Sequence, residues 1–177
     1  MDSPALLRVM PLLAATSYVT FTFSEDTFVR PLMHTGPPAH SAELRHHTNR
    51  SLPALMHFTR RGLPFIFISY LLAIATAAAN LSRGDLPGVS FTENAGHNAR
   101  TAATFYLAGL VFSVLHFGPT AMGYLNRVQR NEGIEGDIKG DNTANMMTWL
   151  KINAMRALVA DIPSWACYLL AFTFSMS

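Results

Sequence analysis

Residues 101–126 read TAATFYLAGLVFSVLHFGPTAMGYLN, a stretch without a single Asp, Glu, Lys or Arg. An uncharged apolar run of about 18 or more residues is long enough to cross a bilayer as a helix. Residues 62–81, GLPFIFISYLLAIATAAANL, repeat the pattern, and residues 157–177 carry one charge, Asp161. Three such runs in a chain of 177 residues exclude an ordinary soluble domain. The composition agrees. Half of the residues are hydrophobic, which is ordinary, but only 14% are charged, against about 25% in an average globular protein. A net charge of +2 with no basic stripe gives no footing for nucleic acid as a partner. Cys167 is the single cysteine, so an intrachain disulfide is impossible.

Working outward, residues 4–23, PALLRVMPLLAATSYVTFTF, form a further apolar run. Only Arg8 interrupts it, and a long side chain near a helix end snorkels to the interface. A cleaved signal peptide would end at a small-residue site soon after its apolar centre. Here the run continues through Tyr18, Phe21 and Phe23, so a retained first helix is expected. Asp2 stands where myristoylation needs Gly, and no C-terminal prenylation cysteine is present, so no lipid anchor is expected. The expected architecture is all-α. It is an integral membrane four-helix bundle forming a single transmembrane domain over residues 1–177, with spans at about 4–23, 62–81, 102–124 and 150–174.

Charge orients the bundle. The first connection carries Arg30, Arg45, Arg50, Arg60 and Arg61, and the third carries Arg127, Arg130, Lys139, Lys151 and Arg156. The N-terminus and second connection hold only Arg8, Arg83 and Arg100. The positive-inside rule then places the first and third connections in the cytoplasm and both termini outside it. An endomembrane such as the endoplasmic reticulum is the expected location. The sequons at Asn49 and Asn80 are expected to stay unused, the first being cytoplasmic and the second at a helix end. Gly36, Pro37 and Pro38 break the first connection, after which residues 39–61 read as a helix entering the second span, with kinks invited at Pro53 and Pro64. Residues 131–142 read as a flexible turn, and there is no internal repeat.

In a membrane bundle, small and polar side chains sit where helices meet, and positions i, i+3, i+4 and i+7 share a face. Tyr106, Gly109, Ser113, His116, Thr120 and Gly123 form such a stripe in the third span. Ser69, Ala73, Thr76 and Asn80 do so in the second, Thr16 and Thr20 in the first, and Trp149, Asn153, Arg156 and Ala160 in the fourth, with Asp161 beside them. Helix packing accounts for most of these. His116 stands apart, because an ionisable group in the middle of a span is a functional-site candidate by default. The plainer reading is a neutral core imidazole bonded to a hydroxyl. Arg156 and Asp161 have a structural reading too, as a pair.

His40, Glu43, His46 and His47 have the spacing of helical metal ligands. A solvated helix whose Glu43 offsets Arg45 and Arg50 is the preferred reading, and no metal is expected. Glu93 and His97 share the spacing but fall in a loop, and an assembly across helices, such as His57 with His116, is beyond what spacing shows. There is no G-x-S-x-G, and Cys167 lies in an apolar run and reads as packing. No phosphate-binding glycine loop or dinucleotide fingerprint occurs, so no nucleotide cofactor is implied.

The fourth span opens with WLKINAMRAL, residues 149–158. An aromatic, then Asn, then Arg at this spacing resembles the last helix of the small four-span proteins of the anthrone oxygenase type. The entry FTRRGLP at 58–64 and the exit HFGP at 116–119 resemble that family's second and third spans, whereas the first span departs from its small-residue and proline pattern. The resemblance implies a fungal polyketide-tailoring monooxygenase. Such an enzyme oxidises a tricyclic anthrone to an anthraquinone with O2 as co-substrate and without flavin, haem or metal. Its partners are then a small aromatic substrate and the lipid bilayer. The chemistry needs a base, a holder for the oxyanion and an apolar pocket. His116 or His57 is the candidate base, Arg156 and Asn153 the candidates to hold the phenolate, and Tyr106 and Trp149 the candidates to stack on the rings, with His57 also counted among the substrate-binding residues. Two other classes remain open at this stage: a membrane cyclase or isomerase using the same acid–base groups, and a non-catalytic four-span protein.

Overall fold

The computed structural model describes residues 3–33, 41–82, 97–117, 128 and 142–176. Helices α1 (Ser3–Met33), α2 (Ser41–Ser82), α3 (His97–Leu115), α4 (Asn142–Arg156) and α5 (Ile162–Met176) follow in order, with a π-helical turn, Ala157–Asp161, joining α4 to α5. Among the described residues there is no strand, so the chain is all-α as expected. Three stretches are long and apolar enough to cross a membrane: Ala5–Pro31, Arg61–Ser82 and Asn142–Met176. They correspond to the expected first, second and fourth spans. The expected third span is not among them: α3 ends at Leu115 and residues 116–117 form a turn, so His116 sits at the helix end rather than in the middle of a continuous 102–124 helix, and residues 118–124 lie outside the described residues.

The helices overrun the uncharged windows. α1 continues past residue 23 through Glu25, Asp26 and Arg30, because Arg30 folds back on Asp26 one turn earlier, its Nε 2.9 and 3.0 Å from the two carboxylate oxygens and its Nη2 on Oδ1. α2 runs unbroken through Pro53 and Pro64. The π turn has a local cause. Pro163 has no N–H to give the Val159 carbonyl and its ring crowds that carbonyl. The turn widens instead, and the Ile162 N–H reaches the Ala157 carbonyl five residues back.

The chain forms two compact units. The first comprises Met1–Thr20, Ile66–Gly118 and Arg156–Ser177; the second comprises Phe21–Phe65 and Pro119–Met155. In the first, four helical segments pack up-down-up-down. Asn80 Nδ2 of α2 bonds the Leu7 carbonyl of α1 at 2.9 Å, while Tyr70 stacks on Tyr18, so these segments run antiparallel. α5 is antiparallel to α1, with Arg8 Nη1 on the Ser175 carbonyl and Trp165 Nε1 on Thr16 Oγ1. Each segment gives one buried tyrosine to the core (Tyr18, Tyr70, Tyr106 and Tyr168), set among Ala14, Ala15, Ala73, Ala77, Ala103 and Ala171. Large rings fit where the facing helices present only methyl groups, which lets the backbones approach. The outside of this unit is apolar: Leu13, Ile68, Leu71, Leu107, Val111, Val114, Leu158, Leu169 and Leu170 are exposed. Polar groups inside and bulky aliphatics outside suit hydrocarbon as the solvent.

The closest approach is at Gly109, where an added Cβ would lie 2.6 Å from Cε1 of Tyr168. The second unit is held by Val29, Leu52, Val128, Met146, Trp149 and Leu150.

The inward face of α1 differs from the expected one. Pro11, Ala14, Ala15, Tyr18 and Thr22 are buried, whereas Thr16 and Thr20 are exposed. The Thr16 hydroxyl donates back to the Leu12 carbonyl at 2.8 Å and accepts from Trp165 Nε1 of α5 at 3.0 Å, so Thr16 meets a neighbouring helix from the edge of the buried face rather than from its centre.

Candidate active site

His116 closes the C-terminal end of α3. Its N–H reaches the Phe112 carbonyl at 3.3 Å, and the next N–H, of Phe117, shortens to the Val114 carbonyl at 3.1 Å. This tight exit fixes the backbone from which the imidazole projects into the first unit. There Nδ1 lies 2.8 Å from Asp161 Oδ1 and 2.7 Å from Tyr70 Oη, and Tyr70 Oη lies 2.9 Å from the same carboxylate oxygen. Three atoms from three helical segments thus form a closed triangle. Asp161 is 1% exposed and His116 9%.

The proton count follows from what each group can do. A carboxylate only accepts. Tyr70 therefore donates its O–H to Asp161 Oδ1, and His116 donates from Nδ1–H, shared between Asp161 Oδ1 and Tyr70 Oη. This leaves the Nε2 lone pair unprotonated in the neutral ring, and no described residue bonds it. A carboxylate on one ring nitrogen that frees the other as base is the arrangement that orients a catalytic imidazole. Asp161 Oδ2 is buried and accepts no hydrogen bond from the described residues. A buried carboxylate left half satisfied is costly.

The walls are aromatic. Tyr70 stacks on Tyr18, centroids 4.0 Å apart and planes within 9°, and leans on the imidazole at 4.0 Å. One layer further along the bundle, Ser113, Ser164, Tyr18 and Tyr168 join hydroxyls. Tyr18 donates to Ser164 at 2.9 Å, Ser113 and Ser164 are 2.7 Å apart, Tyr168 meets Ser113 at 3.1 Å, and Ser164 donates to the Gly109 carbonyl at 2.9 Å. Every proton in this group has an acceptor, so it acts as interhelical glue, as the packing reading of Gly109 and the hydroxyl stripe expects.

The other candidates fall in different places. Tyr106 is fully buried, and its hydroxyl donates to the Arg8 carbonyl at 2.9 Å, which ties α3 to α1. Arg156 ends α4 in the first unit and is half-buried. Asn153 and Trp149 belong to the second unit, where Asn153 Nδ2 donates to Glu25 Oε2 at 3.2 Å and Trp149 is part of the apolar core. His57 lies on α2 in the same unit. Of the possible metal cluster, His40 lies outside the described residues, as does Glu93; His47 and His97 are exposed. No group of three His, Cys, Asp or Glu converges among the described residues.

Of the three groups the structure brings together, sequence reasoning singled out His116, did not name Tyr70, and saw Asp161 only as a neighbour of Arg156. The available signal was the spacing Tyr70, Ala73, Ala77, one large and two small residues on a single buried face.

An all-α membrane protein with a carboxylate-oriented imidazole inside its bundle is the class that fold and site define. Comparison with known proteins supplies the family. The chain is 30% identical over 175 residues to epoxidase pydX of an Acremonium species, covering 94% of this chain and 91% of that one. It is 31% identical over 179 residues to the probable epoxidase scpX of Mollisia scopiformis, covering 94% and 93%. It is 30% identical over 176 residues to epoxidase gkaX of Penicillium citrinum, covering 97% and 95%. The chain belongs to the family of these fungal proteins. Its relatives are fungal, as the resemblance implied, and carry the name epoxidase rather than anthrone oxygenase. No family model and no solved structure matches the chain.

Proposed function

We propose that the protein is a membrane-embedded tailoring oxygenase of a natural-product pathway. It uses O2 on an electron-rich aromatic substrate that a base can convert to its enolate or phenolate, and it needs no other cofactor. The carrying observation is the triangle of His116, Asp161 and Tyr70, and the names of the relatives support oxygen insertion as the outcome.

His116 Nε2 takes the substrate's O–H proton, or the acidic methylene proton of an anthrone. Asp161 stabilises the resulting imidazolium, and Tyr70 holds the carboxylate in place. The substrate anion is rich enough in electrons to react with O2, giving a hydroperoxide on the adjacent carbon. Two outcomes diverge from that intermediate. In an anthrone the hydroperoxide carbon keeps a hydrogen, and loss of water gives the quinone. In a hydroquinone the neighbouring enol carbon attacks the inner peroxide oxygen and expels hydroxide, which closes an epoxide beside the carbonyl. Both balance as substrate plus O2 giving product plus one water, with all four electrons drawn from the substrate. The epoxide branch accords with the relatives' names and is the reading preferred over anthrone oxidation. Arg156 remains a candidate to hold the oxyanion from the same unit. The setting is an endomembrane, with four spans and both termini on the non-cytoplasmic side.

The test uses purified protein in phosphatidylcholine nanodiscs with 1,4-naphthohydroquinone and, separately, anthrone under ¹⁸O2. One labelled oxygen in an epoxide or quinone, formed faster than in protein-free nanodiscs and lost with His116→Ala, is the expected result. Oxygen uptake no faster than autoxidation with either compound refutes the oxygenase reading.

A further inference from the structure

We propose that the acid–base triangle sits at the cytoplasmic end of the membrane bundle and is reached from that end, so that the substrate is an amphiphile drawn from the cytoplasmic leaflet; the substrate half of this rests on the oxygenase reading above. The depth of the triangle follows from the first unit alone. Its four segments run on into the rest of the chain at one end, at Thr20, Ile66, Gly118 and Arg156. Tyr70 is four residues inside that end, His116 two and Asp161 five. On the far side of His116, α3 continues for its full 19 residues. That is about 28 Å at about 1.5 Å per residue, close to the roughly 30 Å of a hydrocarbon core. The triangle therefore lies just beneath one interface and not at the midplane.

Beyond the triangle the unit is closed layer by layer. The hydroxyls of Ser113, Ser164, Tyr18 and Tyr168 fill the first layer. In the next, Gly109 approaches the Tyr168 ring so closely that no Cβ fits between them. The far end is tied by Tyr106 Oη on the Arg8 carbonyl, Arg8 Nη1 on the Ser175 carbonyl and Asn80 Nδ2 on the Leu7 carbonyl, each at 2.9 Å. A solute entering there would have to break all three layers, whereas from the near end it meets the triangle first. Charge says which end this is. Residues 21–65 and 119–155, which leave the near end, carry nine of the 13 Lys and Arg residues, and residues 1–20 and 66–118 carry three. The remaining one, Arg156, stands at the boundary itself. By the positive-inside rule the near end faces the cytoplasm.

The substrate class follows from that depth. Base catalysis needs an O–H or enol that ionises at the imidazole, and an anion costs less just under an interface than at the midplane. The exposed positions level with the triangle, Ile68, Leu115 and Leu158, are aliphatic, so the body of the molecule lies among acyl chains. The inferred substrate is an amphiphile, a weakly acidic head on an apolar body, supplied by a reaction on the cytoplasmic side.

Depth is read without activity. In the full chain carrying Cys167→Ala, a nitroxide is attached at Leu115→Cys, beside His116, or at Leu107→Cys, about two turns deeper on α3; both positions are exposed. In phosphatidylcholine nanodiscs, after each protein elutes as a monodisperse peak, collision with Ni-EDDA relative to O2 should be higher at 115 than at 107. An equal or lower ratio at 115 overturns the placement. Sidedness is read in sealed microsomes, whose cytoplasmic face is outermost. The probes are the impermeant anion 1,4-naphthohydroquinone-2-sulfonate and its permeant parent, each rate taken over that of His116→Ala microsomes. The sulfonate should turn over at a rate that permeabilisation leaves unchanged. Turnover that appears only after permeabilisation overturns cytoplasmic entry, and none in either state, with the parent consumed, overturns the amphiphile. No turnover of the parent refutes the oxygenase reading instead, and the nitroxide depths are independent of that outcome.

Discussion

Replacing Asp161 with Asn tests whether the carboxylate orients His116 or merely fills space. The substitution is nearly isosteric, so packing against Tyr70 and His116 is kept. What changes is the hydrogen bonding at the oxygen that sits 2.8 Å from Nδ1 and 2.9 Å from Tyr70 Oη. An amide can turn its NH2 toward Nδ1, which forces the ring proton onto Nε2 and removes the base. If its oxygen stays in place, a charge-assisted bond becomes a neutral one. A hydrogen bond to a charged group is worth about 1.5–3 kcal/mol, which at about 1.36 kcal/mol per decade is roughly a ten- to 150-fold loss of kcat/KM. A complete tautomer switch in a comparable triad costs about 10⁴, so the expected loss lies between about ten-fold and 10⁴-fold. Stability should move the other way. A neutral amide is cheaper to bury than a carboxylate with one unbonded oxygen, so Tm should hold or rise. The assay is steady-state turnover of 1,4-naphthohydroquinone in nanodiscs with a thermal melt on the same samples. Wild-type kcat/KM in a folded Asp161→Asn protein would refute the orienting role, and so would an activity loss that merely tracks a fall in Tm.

Tyr70→Phe keeps the stack on Tyr18 but removes the hydroxyl shared by His116 and Asp161; turnover should fall about tenfold, at about 1–1.5 kcal/mol for the lost bonds, and an unchanged rate would leave Tyr70 as packing. Gly109→Ala places a methyl 2.6 Å from the Tyr168 ring, whose hydroxyl is tied to Ser113; overpacking should cost about 1–3 kcal/mol, read as a lower midpoint of thermal unfolding in detergent. The orientation is checked by adding a cysteine after residue 177 in a Cys167→Ala background; it should label only from the non-cytoplasmic side, and labelling from the cytoplasmic side alone would reverse the topology.

The distribution of charge made the membrane fold legible without coordinates. In hydrocarbon only helices and closed barrels satisfy every backbone polar group, and a continuous 20-residue apolar run such as 62–81 has the length of a helix rather than a barrel strand, a conclusion that needs no partner helix. The ends of the helices were less legible, because the pair of Asp26 and Arg30 carries α1 past its apolar window and the effect of Pro163 on the turn before it is local but not periodic. His116 stood out in the sequence for an electrostatic reason, since an ionisable group within an uncharged apolar run is costly; that it sits at the end of α3 rather than in the middle of a helix was set by the structure.

The partners of His116 were decided by tertiary structure. Tyr70 and Asp161 lie 46 and 45 residues from it in the chain, and periodicity assigns a residue to a face of its own helix without saying which face of another helix it meets. For α1 the polar pattern marked the edge of the buried face and not its centre: Thr16 is exposed, donates to Leu12 on its own helix and accepts from Trp165 of α5, so its hydroxyl says little about which side is buried. The sequence by itself determined the solvent, the secondary structure and a titratable group, His116, out of place in an apolar run. Which oxygen and which hydroxyl close on that group depends on how four helices pack, and that is set by tyrosines finding alanines on other helices.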